Sequence, residues 1–240
     1  MTAPLAVLGD FGGAIDFIFS ERPSPAGGSQ VGGLAELWEL MRPHLELSVV
    51  SMAIACAIAI PLGLWLGHIG KGGFLAINAS NVGRAVPSLA LIAFFVAYLG
   101  VGFTNLTVAL VLLAIPPILT NAYTGVRQVD RDTVDSARGM GMTGFQIVRR
   151  VELPLALPLI FGGIRISAVN VVATATIAPL AGVVTLGDPI INVNTYGSEG
   201  RLAAAIVVAL LAVLTEVTLA ALQRAATPRG LKLDRREATT

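Results

Sequence analysis

The chain has 240 residues, 55% of them hydrophobic and only 13% charged, with a mean hydropathy of +0.78. A soluble domain of this length carries about twice that charge fraction, so the composition points to a membrane protein. A formal net charge of +1 gives no electrostatic footprint for nucleic acid, and the lone Cys56, inside an apolar run, excludes an intrachain disulfide and offers no metal-ligand spacing.

The N-terminus lacks the order of a cleavable signal. Its first basic residue is Arg22, after the apolar stretch 5–19, which Asp10 and Asp16 interrupt. Residues 1–20 are expected to stay on the chain as a short interfacial helix, and 5–20 is a candidate sixth element. The Pro/Gly/Ser stretch 23–33 reads as a flexible connector. Five segments then approach the 20 or so apolar residues that cross a hydrocarbon core: 45–66, 86–103 with a backward extension to Phe74, 106–126, 155–180 and 202–222. Pro61, Pro87, Pro116 and Pro117 lie in or at the ends of these spans, where neighbouring groups re-satisfy the freed carbonyls. The domain plan is an extracytoplasmic segment and linker at 1–44, a transmembrane domain at 45–226 and a cytoplasmic tail at 227–240.

Orientation follows the basic residues. With the N-terminus outside, Lys71 and Arg84, then Arg127, Arg131, Arg138, Arg149 and Arg150, then Arg224, Arg229, Lys232, Arg235 and Arg236 fall inside. That is twelve of the sixteen Lys and Arg. The predicted fold is all-α, about five transmembrane helices, N-out and C-in.

Residues 127–154, RQVDRDTVDSARGMGMTGFQIVRRVELP, form the one long inside loop. Its pattern predicts two short helices with a turn. Asp132 is placed to cap the first, with Asp135 in its first turn, and Gly139 and Gly141 end it. Thr143 opens the second with Gln146 completing a capping box. Phe145, Val148 and Val151 share one apolar face, and Pro154 marks the entry to span four. A two-helix loop with one apolar face is shaped for docking, which the positive-inside rule alone does not explain.

This loop resembles that of the permease subunits of binding-protein-dependent ATP-driven importers, which reads EAA, three residues, Gly, nine residues, Ile-x-Leu-Pro. The chain has Asp135-Ser136-Ala137, three residues, Gly141, nine residues, and Val151-Glu152-Leu153-Pro154. The resemblance implies a type I ABC importer permease in a bacterial or archaeal inner membrane. The loop would sit in a cleft of a separate ATP-binding cassette ATPase and transmit its closure, with Asp135, Ser136, Ala137, Gly141, Phe145, Val151, Leu153 and Pro154 as the coupling set. An extracytoplasmic substrate-binding protein and a second permease copy, identical or homologous, are implied as further partners. Val86-Pro87-Ser88-Leu89-Ala90-Leu91, Asn121-Ala122-Tyr123-Thr124-Gly125-Val126 and Ala137-Arg138-Gly139-Met140-Gly141-Met142 look like the osmoprotectant branch, whose members import glycine betaine, carnitine or choline. So does Val151-Glu152-Leu153-Pro154-Leu155-Ala156. One departure is Ala181-Gly182-Val183-Val184-Thr185-Leu186-Gly187, where that branch has a Gly-Gly-Leu-Gly-like run.

Residues 139–144 spell G-x-G-x-x-G, but they follow a helical segment rather than a strand, so dinucleotide binding is set aside. No G-x-x-x-x-G-K-[ST] phosphate loop occurs. No cofactor and no catalytic set are expected, since His44 and His68 sit at opposite ends of span one. Trp38 and Trp65 read as interfacial anchors rather than a cation–π cage. Ser167, Asn170, Thr174 and Thr176 make span four the most polar helix and are nominated as path lining, with bonding between helices as the competing role.

Two ionisable residues lie deep in the spans. Arg165 is seven residues past Pro158 and Glu216 eight before Arg224, so both are roughly 10–12 Å from the helix ends at 1.5 Å per residue. They are expected to pair, with snorkelling to the interface as the rival. Two other functions remain as alternatives: a permease for another small substrate such as an amino acid, and an ion-coupled secondary transporter using Glu216.

Overall fold

The computed structural model of the chain describes residues 3–74, 78 and 86–227. The order of elements among them is α1 (Ala3–Phe19), β1 (Glu21–Pro23), β2 (Gln30–Gly32), α2 (Gly33–Ile69), α3 (Ser88–Leu99), α4 (Phe103–Arg127), α5 (Arg131–Gly139) and α6 (Gly144–Ile147). A π-helical turn (Val148–Glu152) then leads into α7 (Leu153–Thr174), a 3-10 stretch (Ala175–Ala181), α8 (Asp188–Ile191) and α9 (Val193–Ala226). Four helical stretches are long and apolar enough to cross a membrane: Gly33–Ile69, Phe103–Arg127, Gly144–Ala181 and Val193–Ala226. The expected second span appears as the 12-residue apolar helix α3, which at 1.5 Å per residue is about 18 Å long. Its backward extension through 79–85, Arg84 and most of the 227–240 tail lie outside the described residues.

The chain divides into two compact units: Met1–Ser51 with Ser88–Leu110 and Asn170–Leu214, and Met52–Pro87 with Val111–Val169 and Thr215–Thr240.

In the first unit, the stretch expected to be a flexible connector is instead an antiparallel hairpin, Glu21 opposite Gly32 and Pro23 opposite Gln30. Its order comes from bonds to helices near and far in sequence. Arg22 donates to the Gly13 carbonyl at 2.9 Å and to Asp16 at 3.0 Å, pairs with Glu199, and lies 5.3 Å from the centre of the Phe17 ring. Ser24 Oγ donates to the Thr195 carbonyl at 2.8 Å. These bonds pin the turn, so its glycines act as corners of a fixed loop rather than as a linker. Helix α2 starts directly at Gly33, so the expected boundary at residue 44 falls inside a helix. Ala14, Phe17, Val31, Tyr196 and Ala203 form one core cluster, and Leu37, Leu40, Leu186 and Val208 another. Buried His44 bonds through Nε2 to the Val172 carbonyl at 3.0 Å. Helix α9 is bent at Gly197, whose φ of 72° and ψ of −179° is backbone that glycine alone adopts freely. At the departure from the branch pattern, Gly182 closes the 3-10 stretch at φ 80°. A side chain at Gly187 would collide with the Thr176 carbonyl.

The second unit packs through small residues. Helix α2 carries Gly63 and Gly67 four apart. A Cβ on Gly63 would lie 2.6 Å from that of Ala122, and one on Gly67 2.7 Å from that of Val126, both on α4. Helices α4 and α7 close in the same way, at Gly125 against Ala156 and at Gly163 against Pro117 and Asn121. Without a hydrophobic driving force inside lipid, such close backbone approach is what holds spanning helices together. Leu64, Ala122, Val126, Ala156 and Ile160 fill the resulting core.

Candidate functional site

The 127–154 loop belongs wholly to the second unit. Its first helix, α5, is capped by Asp130, whose side chain accepts from the Asp132 amide at 3.1 Å. The expected cap, Asp132, stands two residues further on, inside the first turn. Its position follows from the chain leaving α4 at Arg127, which puts the extended residue at 130 (φ −56°, ψ 131°). Asp135 therefore lies in the second turn, where it pairs with Arg138 at 2.9 Å on the exposed face. Ala137 is buried on the opposite face.

Helix α5 ends in a Schellman turn. The Met142 amide donates to the Ala137 carbonyl at 3.2 Å and the Gly141 amide to the Arg138 carbonyl at 3.0 Å. Gly141 sits at φ +83°, in the left-handed region. That is why the motif needs glycine at its central position. One residue later, Thr143 and Gln146 form the reciprocal capping box expected of them, the Thr143 amide donating to Gln146 Oε1 at 2.8 Å.

Beyond α6 the structure departs from the expected helix-turn-helix. The second helix does not stop before the span. It passes through the π-helical turn into α7 without a break. A π turn closes its hydrogen bonds at i→i+5 instead of i→i+4, so the buried positions fall five apart, at Ile147 and Glu152. The expected apolar face of Phe145, Val148 and Val151 does not form as a unit. Phe145 is 74% exposed, and Val148 and Val151 are half-buried. Phe145 and Met140, itself 72% exposed, leave two large apolar side chains exposed on either side of the turn. Leu153 and Pro154 open α7 and are half-buried.

Behind the loop is a polar cavity of about 140 Å³ lined by Gly67, His68, Arg127, Asp135, Arg138 and Glu152, among others. Glu152, 4% exposed, meets His68 Nδ1 at 2.8 Å through Oε2. In the sequence His68 stood out only as one end of span one, and Glu152 only as the variable position of the Val-x-Leu-Pro run. The available signal was a carboxylate inside an otherwise apolar Val-x-Leu-Pro helix entry, together with a histidine just after a Gly-x-x-x-Gly pair.

In the spans of the same unit, Arg165 Nε donates to Glu216 Oε1 at 3.1 Å, and Nη2 reaches the same oxygen. A third residue, Gln223, joins them. It accepts from Arg165 Nη1 at 2.7 Å and donates to the Pro158 carbonyl at 3.0 Å. Of the four residues nominated to line a path, Ser167 has the competing role in this structure. It is fully buried and donates to the Ala114 carbonyl of α4 at 2.8 Å, a bond between helices. In the first unit Asn170 is exposed and Thr174 half-buried, while Thr176 bonds back to the Ala173 carbonyl at 2.6 Å. Among the described residues no group of three or more His, Cys, Asp or Glu could hold a metal ion.

The capped loop lies between helices long and apolar enough to cross a membrane, and its family is shown by comparison with known proteins. Residues 59–229 match the family described as "Binding-protein-dependent transport system inner membrane component", and the chain belongs to that family. It is 40% identical over 190 residues to the glycine betaine/carnitine/choline transport system permease protein OpuCB of Bacillus subtilis (strain 168), covering 79% of this chain and 88% of that protein. It is 39% identical over 200 residues to the carnitine transport permease protein OpuCB of Listeria monocytogenes, covering 83% and 90%. The fold is similar to that of a chain of the MetNI methionine ABC transporter in its inward-facing form, with a TM-score of 0.68 at 23% identity over 81% of this chain and 98% of that one. The chain is thus a multi-pass inner-membrane permease of a binding-protein-dependent importer.

Proposed function

We propose that this permease translocates a small quaternary ammonium osmoprotectant such as glycine betaine, carnitine or choline, driven by ATP hydrolysis on a separate ATPase subunit. The observation that carries the substrate is the set of relatives at 33–40% identity, each named as a glycine betaine, carnitine or choline permease. The observation that supports ATP coupling is the loop. Its central turn is fixed by a Schellman motif and a capping box, and it leaves Met140 and Phe145 exposed, two apolar side chains available to a cleft in a partner.

The N-out, C-in topology places that loop on the cytoplasmic side, together with twelve of the sixteen Lys and Arg. Asn170, Thr174 and Thr176 remain as candidate path lining. Leu210, Val213 and Leu214 of α9 are exposed in a single chain, which suits burial against lipid or the second permease copy. Glu216 is held by Arg165, and Arg165 is also held by Gln223, which counts against a cycling proton carrier. Reconstituting the chain with its ATPase and binding protein, and following labelled glycine betaine, carnitine, choline and methionine, tests the proposal. Uptake of at least one of the first three that needs ATP supports it. Uptake of methionine alone, or uptake driven by an ion gradient without ATP, overturns it.

A further inference from the structure

The carboxylate of Glu152 sits where a charge has no ordinary reason to be. It is 4% exposed, at the last residue of the π-helical turn, and joins the loop to α7. A buried carboxylate demands a partner. Among the described residues the one basic side chain within ion-pair distance is His68, at 2.8 Å, from the last turn of α2. The other charged groups around the same cavity are Arg127 at the end of α4, and Arg131, Asp135 and Arg138 of α5. Asp135 and Arg138 are occupied with each other.

His68 is fixed on its other side as well. A Cβ built on Gly144, the first residue of α6, would lie 3.1 Å from His68 Nε2. The imidazole is therefore wedged between the start of α6 and the end of the π turn, spanning the segment whose exposed face carries Phe145. Just before it in sequence, Gly63 and Gly67 lock α2 onto α4. His68 thus connects the loop segment that exposes Phe145 to a closely packed helix pair.

We propose that His68 and Glu152 form a latch that clamps the α6–π segment to α2, so that displacement of the loop is passed to α2 and α4 instead of being absorbed by rotation of the loop about its own junction. They are positioning residues. They do not touch substrate or nucleotide, and the role rests on the ATP-coupled function proposed above.

The test has two readouts. In the first, the complete importer is reconstituted with wild-type permease, His68→Ala, Glu152→Gln, and the exchange His68→Glu with Glu152→His, and substrate moved per ATP hydrolysed is measured. Losing a hydrogen bond to a charged group corresponds to about a tenfold change in the equilibrium it controls. The expectation is a fall of about that size in the ratio for both single variants, with hydrolysis persisting, and recovery of most of it in the exchange. A fall in assembled complex with an unchanged ratio per complex shows a purely structural pair and overturns the latch. The second readout is amide hydrogen exchange of residues 144–153 in the purified permease, which does not depend on transport. His68→Ala is expected to speed exchange there and leave 155–165 unchanged. Unaltered exchange at 144–153 overturns the latch by itself, whereas wild-type vesicles with no ATP-dependent uptake overturn the function beneath it.

Discussion

Within the second unit, the spans and the loop that joins two of them are held together by different means. Helices α2, α4 and α7 meet at Gly63, Gly67, Gly125 and Gly163, where hardly a hydrogen atom would fit in place of a side chain. The loop has open space at Gly139 and Gly141 and owes its shape to bonds at helix ends: the Asp130 cap, the Schellman turn and the Thr143 box. The contrast separates two ways of failing. Substitutions in the spans act on whether the helices assemble, whereas substitutions in the loop act on how firmly a partner's movement is received.

The largest effect is expected in the spans. Gly63→Leu and Gly67→Leu overpack the contact of α2 with α4 and are each predicted to cost about 3 kcal/mol. The yield of monodisperse permease and its thermal midpoint in detergent are the measurements, and an unchanged midpoint would mean that the two helices do not touch as described. Next is the polar network of α7 and α9. Glu216→Ala is expected to lower the midpoint by less than the glycine variants, and Arg165→Glu combined with Glu216→Arg to recover most of that loss. A double exchange no better than the single variant would sink direct pairing.

Smaller still is Gly141→Ala. A Cβ there meets nothing within 4 Å, so the cost is purely that of φ +83°, about 1 kcal/mol. It should show as faster amide exchange at 137–142 with the thermal midpoint of the spans unmoved. The least severe is Thr143→Ser, expected to be near neutral, against about 1 kcal/mol for Thr143→Ala, which loses the box. Exchange at 144–147 distinguishes the two, and equal exchange in both would show that the box does not hold α6.

What could be read from sequence follows the same division. Local chemistry at helix ends was legible, because a cap and a positive-φ turn need only neighbouring residues: Thr143 with Gln146, and Gly141 as the turn. The pair of Arg165 with Glu216 was legible because each charge stands out against an apolar run. The cap was misplaced by two residues, Asp132 for Asp130, because the exact exit of α4 decides which Asp is extended. The hairpin at 21–32 was missed because Arg22 finds Glu199, a partner 177 residues away in sequence, which no local pattern announces. Gln223 was missed for a similar reason: an uncharged amide near a helix end attracts no notice until Pro158 and Arg165 are seen beside it. The face of the second loop helix was misplaced because an α-helical count was carried through a turn that is not α-helical.

That turn also has a consequence for the length of the chain. A π turn is an α-helix with one residue too many, and an α-helix rotates by about 100° per residue. Deleting one residue between 148 and 152 would return the segment to α periodicity and bring Ile147 and Glu152 four apart, still on one face. The turn thus stores one residue between Thr143 and Pro154 without turning α6 away from α7, so a chain one residue shorter could present the same loop surface.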